Sequence, residues 1–426
     1  MNCEIDEVKS SYKKLGSYIR PVDERNKELQ VETLLGVSVK KRFIPSIANT
    51  VGTDFTKYKI VKRNQFTYIP DTSRRGEKIG LAFLDSHDIA LVSQAYTVFE
   101  VIDCNELDPE YLMMWFRRPE FDRYARVKSH GSVREIFDWE EMCETELPIP
   151  SIEKQREVVK EYNTVVNRIQ LNEQLNQKLE ETAQAIYKEW FVDFKFPNED
   201  GKPYKASGGR MVFNEELDKE IPDGWEVENI ESICDIIDGD RGRNYPSQQH
   251  FSNQGYCLFL NAGNVTKLGF EFSNNSFISR ERDELLRKGK LERKDIIVTT
   301  RGSVGNIAFY SDQIEFDHLR INSGMVIFRS KKMDNALFIY SLMRSGEMTK
   351  NILNFMSGSA QPQLPIRDIK RIPTLIPNEN MISNFSKLVL SAQNQIEIQN
   401  KESRNLIKMK DLLLSKMTKV EETTEK

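Results

Sequence analysis

The chain has 426 residues, more than one ordinary domain holds, so two or three domains are expected. Apolar residues make up 39% and charged residues 30%, and no run approaches the ~20 consecutive apolar residues that a membrane span needs. The net charge of −4 excludes a uniformly basic nucleic-acid binder.

Regional counts sharpen that last point. Residues 1–150 hold 22 Lys and Arg against 25 Asp and Glu, and residues 196–376 hold 24 against 25. Any DNA reader built from this chain must gather its positive charge on one face, or borrow it from a partner. The five cysteines (Cys3, Cys104, Cys143, Cys234 and Cys257) are scattered and never spaced as Cys-x-x-Cys. That argues against a disulfide framework and a structural zinc site, and fits a reducing cytoplasm. The opening MNCEIDEVKSSYKK lacks the apolar stretch of a secretory signal.

In chain order, residues 1–150 read as a strand-rich lobe, with the β-branched run IALVSQAYTVFEVI (89–102) and one helical stretch, PEYLMMWFRRPEFDRYA (109–125). An Ile-Pro pair closes it, and residues 151–196 read as a long helix. The segment 198–220, beginning NEDGKPYKASGGRM, is rich in Gly, Lys and Ser and reads as a linker inside a second block, 197–376. That block opens at IPDGWEVENI (221–230), carries strand signals in DIIVTT (295–300) and GMVIFR (324–329), and has the helical stretch ALFIYSLMRSGEMTKNIL (336–353). Residues 377–426 close the chain as a second long helix.

The two halves repeat each other. Displaced by 227 positions, Leu112 meets Ile339, Arg117 meets Arg344, Gly131-Ser132 meets Gly358-Ser359, and Ile149-Pro150 meets Ile376-Pro377. A period this long is a duplicated domain pair, not a solenoid.

The helices carry the clearest periodicity. Val158, Tyr162, Val165, Ile169, Leu179, Ala183, Ile186 and Trp190 alternate steps of four and three, with Asn172 and Asn176 in two polar seats. The copy gives Phe385, Val389, Ala392, Ile396, Leu406, Leu413 and Met417, with Gln399 and Ser403 in the polar seats and Lys410 opposite Ala183. These are heptad seams, and the two helices are expected to pack on each other as an antiparallel coiled coil between two similar lobes, an α+β architecture. The polar seats are expected to set the register, since they cost stability but exclude slipped pairings. At 1.5 Å per residue, each helix would be on the order of 57 Å long. Two similar lobes at fixed separation suit a target with two half-sites, as duplex DNA offers.

Three segments carry a family resemblance. LPIPSIEKQREVVKEYNTVVNRIQLNEQLNQKLEETAQAIYKEWFVDF (147–194) resembles the central spacer of the specificity subunit of type I restriction-modification enzymes. GSAQPQLPIRDIKRIPTLIP (358–377) is similar to the lead-in of the second spacer, and IPDGWEVENI to the opening of a second target-recognition domain. One departure is NENMISNF (378–385), which replaces the Glu-x-Gln pattern present as EKQ at 153–155. The resemblance implies a subunit with no catalysis and no cofactor of its own, each lobe reading half of a split target. It implies two methyltransferase subunits docked on the spacer helices, methylating adenine with S-adenosylmethionine, and a translocating restriction subunit as a further partner. Two other readings remain open at this stage. One is a related system with methylation and cleavage on one partner chain, the other a coiled-coil scaffold with no DNA role.

Bidentate base readers are expected to be Arg, Lys, Asn or Gln on loops. In the first lobe they are Arg74 and Arg75 in TSRRGEK, with Lys128, Ser132 and Arg134 on the second loop. In the second lobe they are Arg241, Arg243, Asn244 and Tyr245 in GDRGRNYP, Arg301 and Ser303 in TTRGSVGN, then Arg320, Ser359, Gln361 and Gln363. The four histidines show no metal-ligand spacing, and no P-loop or Asn-Pro-Pro-Tyr segment is present. The aromatic stretch YKEWFVDFKFP (187–197) reads as core packing or a partner contact in preference to a stacking platform.

Overall fold

A computed structural model describes residues 12–46, 52–72, 78–131, 135–267, 269–356 and 363–419. The chain divides into two compact units. One holds the residues up to Gln170 together with those from Arg404 onward, and the other is Leu171–Ser403. Each therefore takes a lobe and a part of both long helices. Among the described residues, no helix is long and apolar enough to cross a membrane.

In the first unit, a four-stranded antiparallel sheet has the order Ile19–Val22, Thr97–Val101, Phe66–Tyr68, Leu81–Phe83. Helices Pro109–Phe116 and Pro119–Lys128 cover it. Each opens with proline, whose missing N–H and fixed φ suit a first helical position. Asp108 caps the former by accepting from Glu110 and Tyr111 N–H. Its six last residues, Tyr111 to Phe116, are all buried, and Phe116 meets Phe66 and Phe99 edge-on. Tyr12–Lys14 pairs with Glu146–Pro148, and the Ile-Pro corner then launches the first long helix, Ile152–Phe191.

The start of that helix is pinned by Gln155, the last residue of the EKQ pattern. Gln155 is fully buried, donates to the carbonyls of Glu106 and Pro150, and accepts from Asp108 N–H. Val159 and Tyr162 follow it into the core, where Leu414 from the end of the chain's second long helix and Met417 from the turn after it join them.

The second unit repeats the plan. Its main sheet has the order Cys234–Asp238, Met325–Ser330, Ile296–Thr299, Ile307–Phe309, covered by helices Ala336–Arg344 and Gly346–Phe355. Those helices begin 227 residues after their counterparts, at 336 and 346 against 109 and 119. Glu226–Asn229 pairs with Pro373–Ile376, as Tyr12–Lys14 does with Glu146–Pro148. The position equivalent to Gln155 is Ile382, buried in an apolar cluster. The second long helix, Glu379–Lys416, is thus seated by packing where the first is seated by a polar latch.

One element differs from expectation. The segment expected as a linker folds locally, its end forming a hairpin of Met211–Asn214 with Lys219–Pro222. The aromatic stretch is core: Tyr187, Phe191, Phe194 and Phe196 are buried with Trp225, Phe338 and Phe385, which resolves the alternatives left open for it.

The seam runs as the heptads require. In the second unit Tyr187 and Trp190, near the end of one helix, meet Phe385, near the start of the other. Asn172 Nδ2 donates to Glu402 Oε2 (3.0 Å) and Ser403 Oγ (3.2 Å), and Asn176 Nδ2 to Asn400 Oδ1 (2.8 Å). Rising numbers on one helix meet falling numbers on the other, so the pair is antiparallel. Asn172 and Gln399 are both buried at mid-seam.

Candidate nucleic-acid interface

The second lobe assembles its candidate readers from four separate stretches. Strand Ile296–Thr299 runs into Thr300-Arg301, and the chain reverses through Gly302 (φ 73°) and Gly305 (φ 86°) before returning as Ile307–Phe309. Both glycines take a left-handed conformation that costs other residues energy. Arg301 is left exposed beside the turn, with Ser303 exposed on it.

On one side of Arg301 lies Gln363, in an antiparallel bridge with it, and Leu364 N–H donates to Thr300 O (3.0 Å). On the other side, Thr300 and Arg301 N–H both donate to Gly324 O, at 2.8 and 3.2 Å. The next residue back, Ser323, gives its N–H to Tyr245 Oη (3.5 Å) and receives Arg241 Nη2 on its carbonyl (3.3 Å). Gln363, Arg301, Tyr245 and Arg241, expected from three distant loops, therefore lie along one connected rim.

The remaining candidates fall differently. Arg243 is exposed and makes no ion pair with a described residue. Asn244 turns its amide onto Leu285 O (3.2 Å). Tyr245 is half-buried, its ring edge-on to Phe259. Ser359 and Gln361 lie outside the described residues.

Arg320 is a correction. It is 4% exposed, pairs with Asp283 (Nε to Oδ1, 2.7 Å) and donates to the carbonyls of Lys288 and Asp283. Its donors are consumed inside the lobe, so it does not belong with the readers. Residue type alone pointed to it; a strand position between two buried apolar neighbours, Leu319 and Ile321, is the signal that argues against it.

In the first lobe Arg74, Arg75, Ser132 and Arg134 lie outside the described residues. What flanks them is described and matches the second lobe. Asp71 and Ile136 form the antiparallel bridge that Arg301 and Gln363 form, and Phe137 N–H donates to Pro70 O (2.9 Å) as Leu364 does to Thr300 O. The displacement is again 227, from 136 to 363 and from 137 to 364. Lys128 is half-buried, near Glu141 (3.4 Å) and over the Tyr124 ring, so part of its charge is already met.

Beneath the second-lobe rim sits Asp240, 4% exposed, accepting from the N–H groups of Gly242 (2.6 Å) and Arg287 (2.7 Å). Burial pushes its carboxyl up, but the N–H groups of Gly242, Arg287 and Lys288 and the Arg287 charge together outweigh it and hold the group below its usual range. Asp240 was not singled out in the sequence. Among the described residues, no cluster of three or more His, Cys, Asp or Glu is placed to hold a metal ion.

Two copies of one sheet-based lobe, each threaded by both long helices, define a duplicated recognition protein. Residues 7–181 and 222–415 match the family model for the type I restriction modification DNA specificity domain, and the chain belongs to that family, with the domain present twice. Over 309 residues it is 28% identical to the type I restriction enzyme MjaIX specificity subunit of Methanocaldococcus jannaschii, a match covering 72% of this chain and 68% of that one. It is 23% identical over 417 residues to the HindI specificity subunit of Haemophilus influenzae, covering 84% and 86%. The fold is shared with the crystal structure of a type I restriction-modification S subunit from M. genitalium, at a TM-score of 0.53, 15% identity and 95% coverage of both chains.

Proposed function

We propose that each lobe reads one half of a split duplex target through the rim just described, and that the helices set the gap between the halves. The observation that carries this reading is the repeated loop pairing. Bridges 71–136 and 301–363 bring the same two loops together in both copies, displaced by 230 on the first loop and 227 on the second. Two identical presentations of different residues suit two half-sites of different sequence.

Methyl transfer and cleavage belong to partner chains in this reading. Two methyltransferase subunits dock on the spacer helices and modify adenine with S-adenosylmethionine, and a translocating restriction subunit completes the assembly. The outward helix faces support such docking, since Leu388, Leu390 and Ile398 are each exposed beyond what a lone helix pair needs. The near-neutral charge of each lobe is then tolerable, because the partners share the grip on the phosphates.

The test is sequencing of native genomic DNA with modified-base detection, with and without this chain. Loss of a split, adenine-methylated motif on deletion is expected. An unchanged methylome in a strain expressing all subunits would overturn the reading.

A further inference from the structure

The second-lobe rim does not end at Arg241 and Arg243. A further basic segment, Leu286 to Lys290, lies directly against it, and several independent contacts lock the two together. Asp240 accepts from Arg287 N–H at 2.7 Å, and Asn244 donates to Leu285 O at 3.2 Å. Arg282 reaches Asn244 O and the ring of His250. Backbone meets backbone where Gly289, at φ 85°, lies against Gly239. A Cβ on Gly289 would stand 3.3 Å from Gly239 Cα and 3.0 Å from Ile321 Cγ1. Only glycine allows both this conformation and this approach.

The side chains converge as well. A Cβ on Gly242 would stand 2.8 Å from Arg287 Nη2, so the Arg287 guanidinium lies over the glycine between Arg241 and Arg243. Its carboxylate partner, Asp240, is distant at 3.7 Å and buried, while the Arg287 side chain is 76% exposed. Lys288, next in the chain, is exposed and makes no ion pair with a described residue.

Arg241, Arg243, Arg287 and Lys288 are thus exposed on two adjoining segments of a lobe whose overall balance is slightly acidic, with Asp238 paired to Arg241 at 3.3 Å and Asp240 to Arg287 at 3.7 Å. Like charges so gathered repel, and two carboxylates, Asp238 and Asp240, do not neutralise four cations. A folded protein maintains such a cluster only with a compensating anion or a rigid scaffold, and the scaffold is present. Asp283, itself 4% exposed, binds both Arg320 and Lys290, and Arg320 holds Lys288 O. Arg320 is in this sense a positioning residue. It fixes the backbone of the basic segment from below without touching a ligand.

We propose that Arg287 and Lys288 are phosphate-contacting residues that extend the DNA-reading rim of the second lobe. They grip the duplex backbone beside the bases that Arg301 and its neighbours face. This rests on the reading of the lobe as a DNA-binding domain. Point-like and guanidinium cations on a rigid exposed edge suit phosphate oxygens, and such contacts fix register without carrying sequence.

The test is duplex binding by the full-length chain with its methyltransferase partner, measured from low to high salt for wild type, R287A/K288A and the charge-keeping R287K/K288R. A random-sequence duplex serves as probe, so the target need not be known. Two lost phosphate contacts should flatten the slope of log K against log salt by roughly 1.8, which shrinks the wild-type advantage about 3.5-fold per doubling of salt. R287K/K288R should keep most of the wild-type slope. Identical slopes for wild type and R287A/K288A would overturn the inference, as would a charge-keeping variant as weak as the alanine one. Absence of any DNA binding by the wild type would instead overturn the parent reading.

Discussion

Replacing Arg320 by methionine separates a reader of DNA from a strut inside the lobe. The side chains of Arg320 and Asp283 are 5% and 6% exposed, and their pair closes at 2.7 Å. Removing one partner of a buried pair typically costs 3–5 kcal/mol, because the other charge stays buried. Lys290 remains beside Asp283 and is itself one-third exposed, so the lower end, about 3 kcal/mol, is expected. At about 2–4 °C per kcal/mol for a body of this size, the melting of the second unit should fall by roughly 6–12 °C. Circular dichroism or calorimetry on the full chain reads this directly. The acid dependence adds a check. Burial raises the Asp283 carboxyl, but hydrogen bonds from Lys290 and Arg320 outweigh it and hold it below its ordinary 3.8. A folded value below the unfolded one means stability present at neutral pH and lost as pH falls through the depressed value. The gap between wild type and R320M should therefore be widest at neutral pH and close in acid. An unchanged melting temperature together with lost binding to the specific target would refute the reasoning and restore Arg320 to the readers.

Three further outcomes are expected. Arg301→Ala should weaken binding to the specific site by ~1–3 kcal/mol and spare random DNA, in a competition assay; an equal loss on both would make Arg301 a phosphate contact. Phe385→Ala removes a fully buried ring that meets Tyr187, Trp190, Phe191 and Phe338, and should cost about 3–5 kcal/mol by denaturant unfolding. Asn172→Leu replaces a buried amide whose Oδ1 has no partner, so a stabilisation of about 1 kcal/mol is expected, bought with looser register. A destabilisation of that size would show that the bonds to Glu402 and Ser403 outweigh the desolvation of Asn172.

The seam and the duplication were legible because both are periodic. Tyr162, Val165, Asn172 and Phe385 recur at steps that only a helix face explains, and an offset of 227 survives in the sequence at Arg117 and Arg344 and in the bridges at Ile136 and Gln363. The rim was half legible. Glycine beside a basic residue correctly singled out Arg241 and Arg301 as loop residues, and the same criterion applied to Arg287-Lys288-Gly289-Lys290 would have singled out the segment that lies against them. Arg320 was illegible by type, since a guanidinium that binds a base and one that binds a buried carboxylate look alike in one dimension. What separates them is the neighbour 37 residues away, Asp283, a contact no local pattern encodes.

That contact also answers the charge objection. Each lobe carries slightly more acid than base, which argues against a DNA reader only if both signs face solvent alike. Along the rim of the second unit they do not. Asp240, Asp283 and Asp295 are each at most 4% exposed, spent on backbone N–H groups and on Arg320, Lys290 and Arg329. With these carboxylates turned inward, the exposed edge keeps Arg241, Arg243, Arg287 and Lys288 against Asp238, which pairs with Arg241 at 3.3 Å, and the field that a phosphate meets is set by what is at the surface. The counts therefore measure composition, while the sign of the rim follows from where the carboxylates are buried. Asp240→Asn tests this separation. It removes one negative charge from beneath the rim without altering an exposed residue, so tighter binding to random duplex is expected at low salt, with the difference fading as salt screens it. Unchanged binding at low salt would show that Asp240 has no influence on the field at the rim.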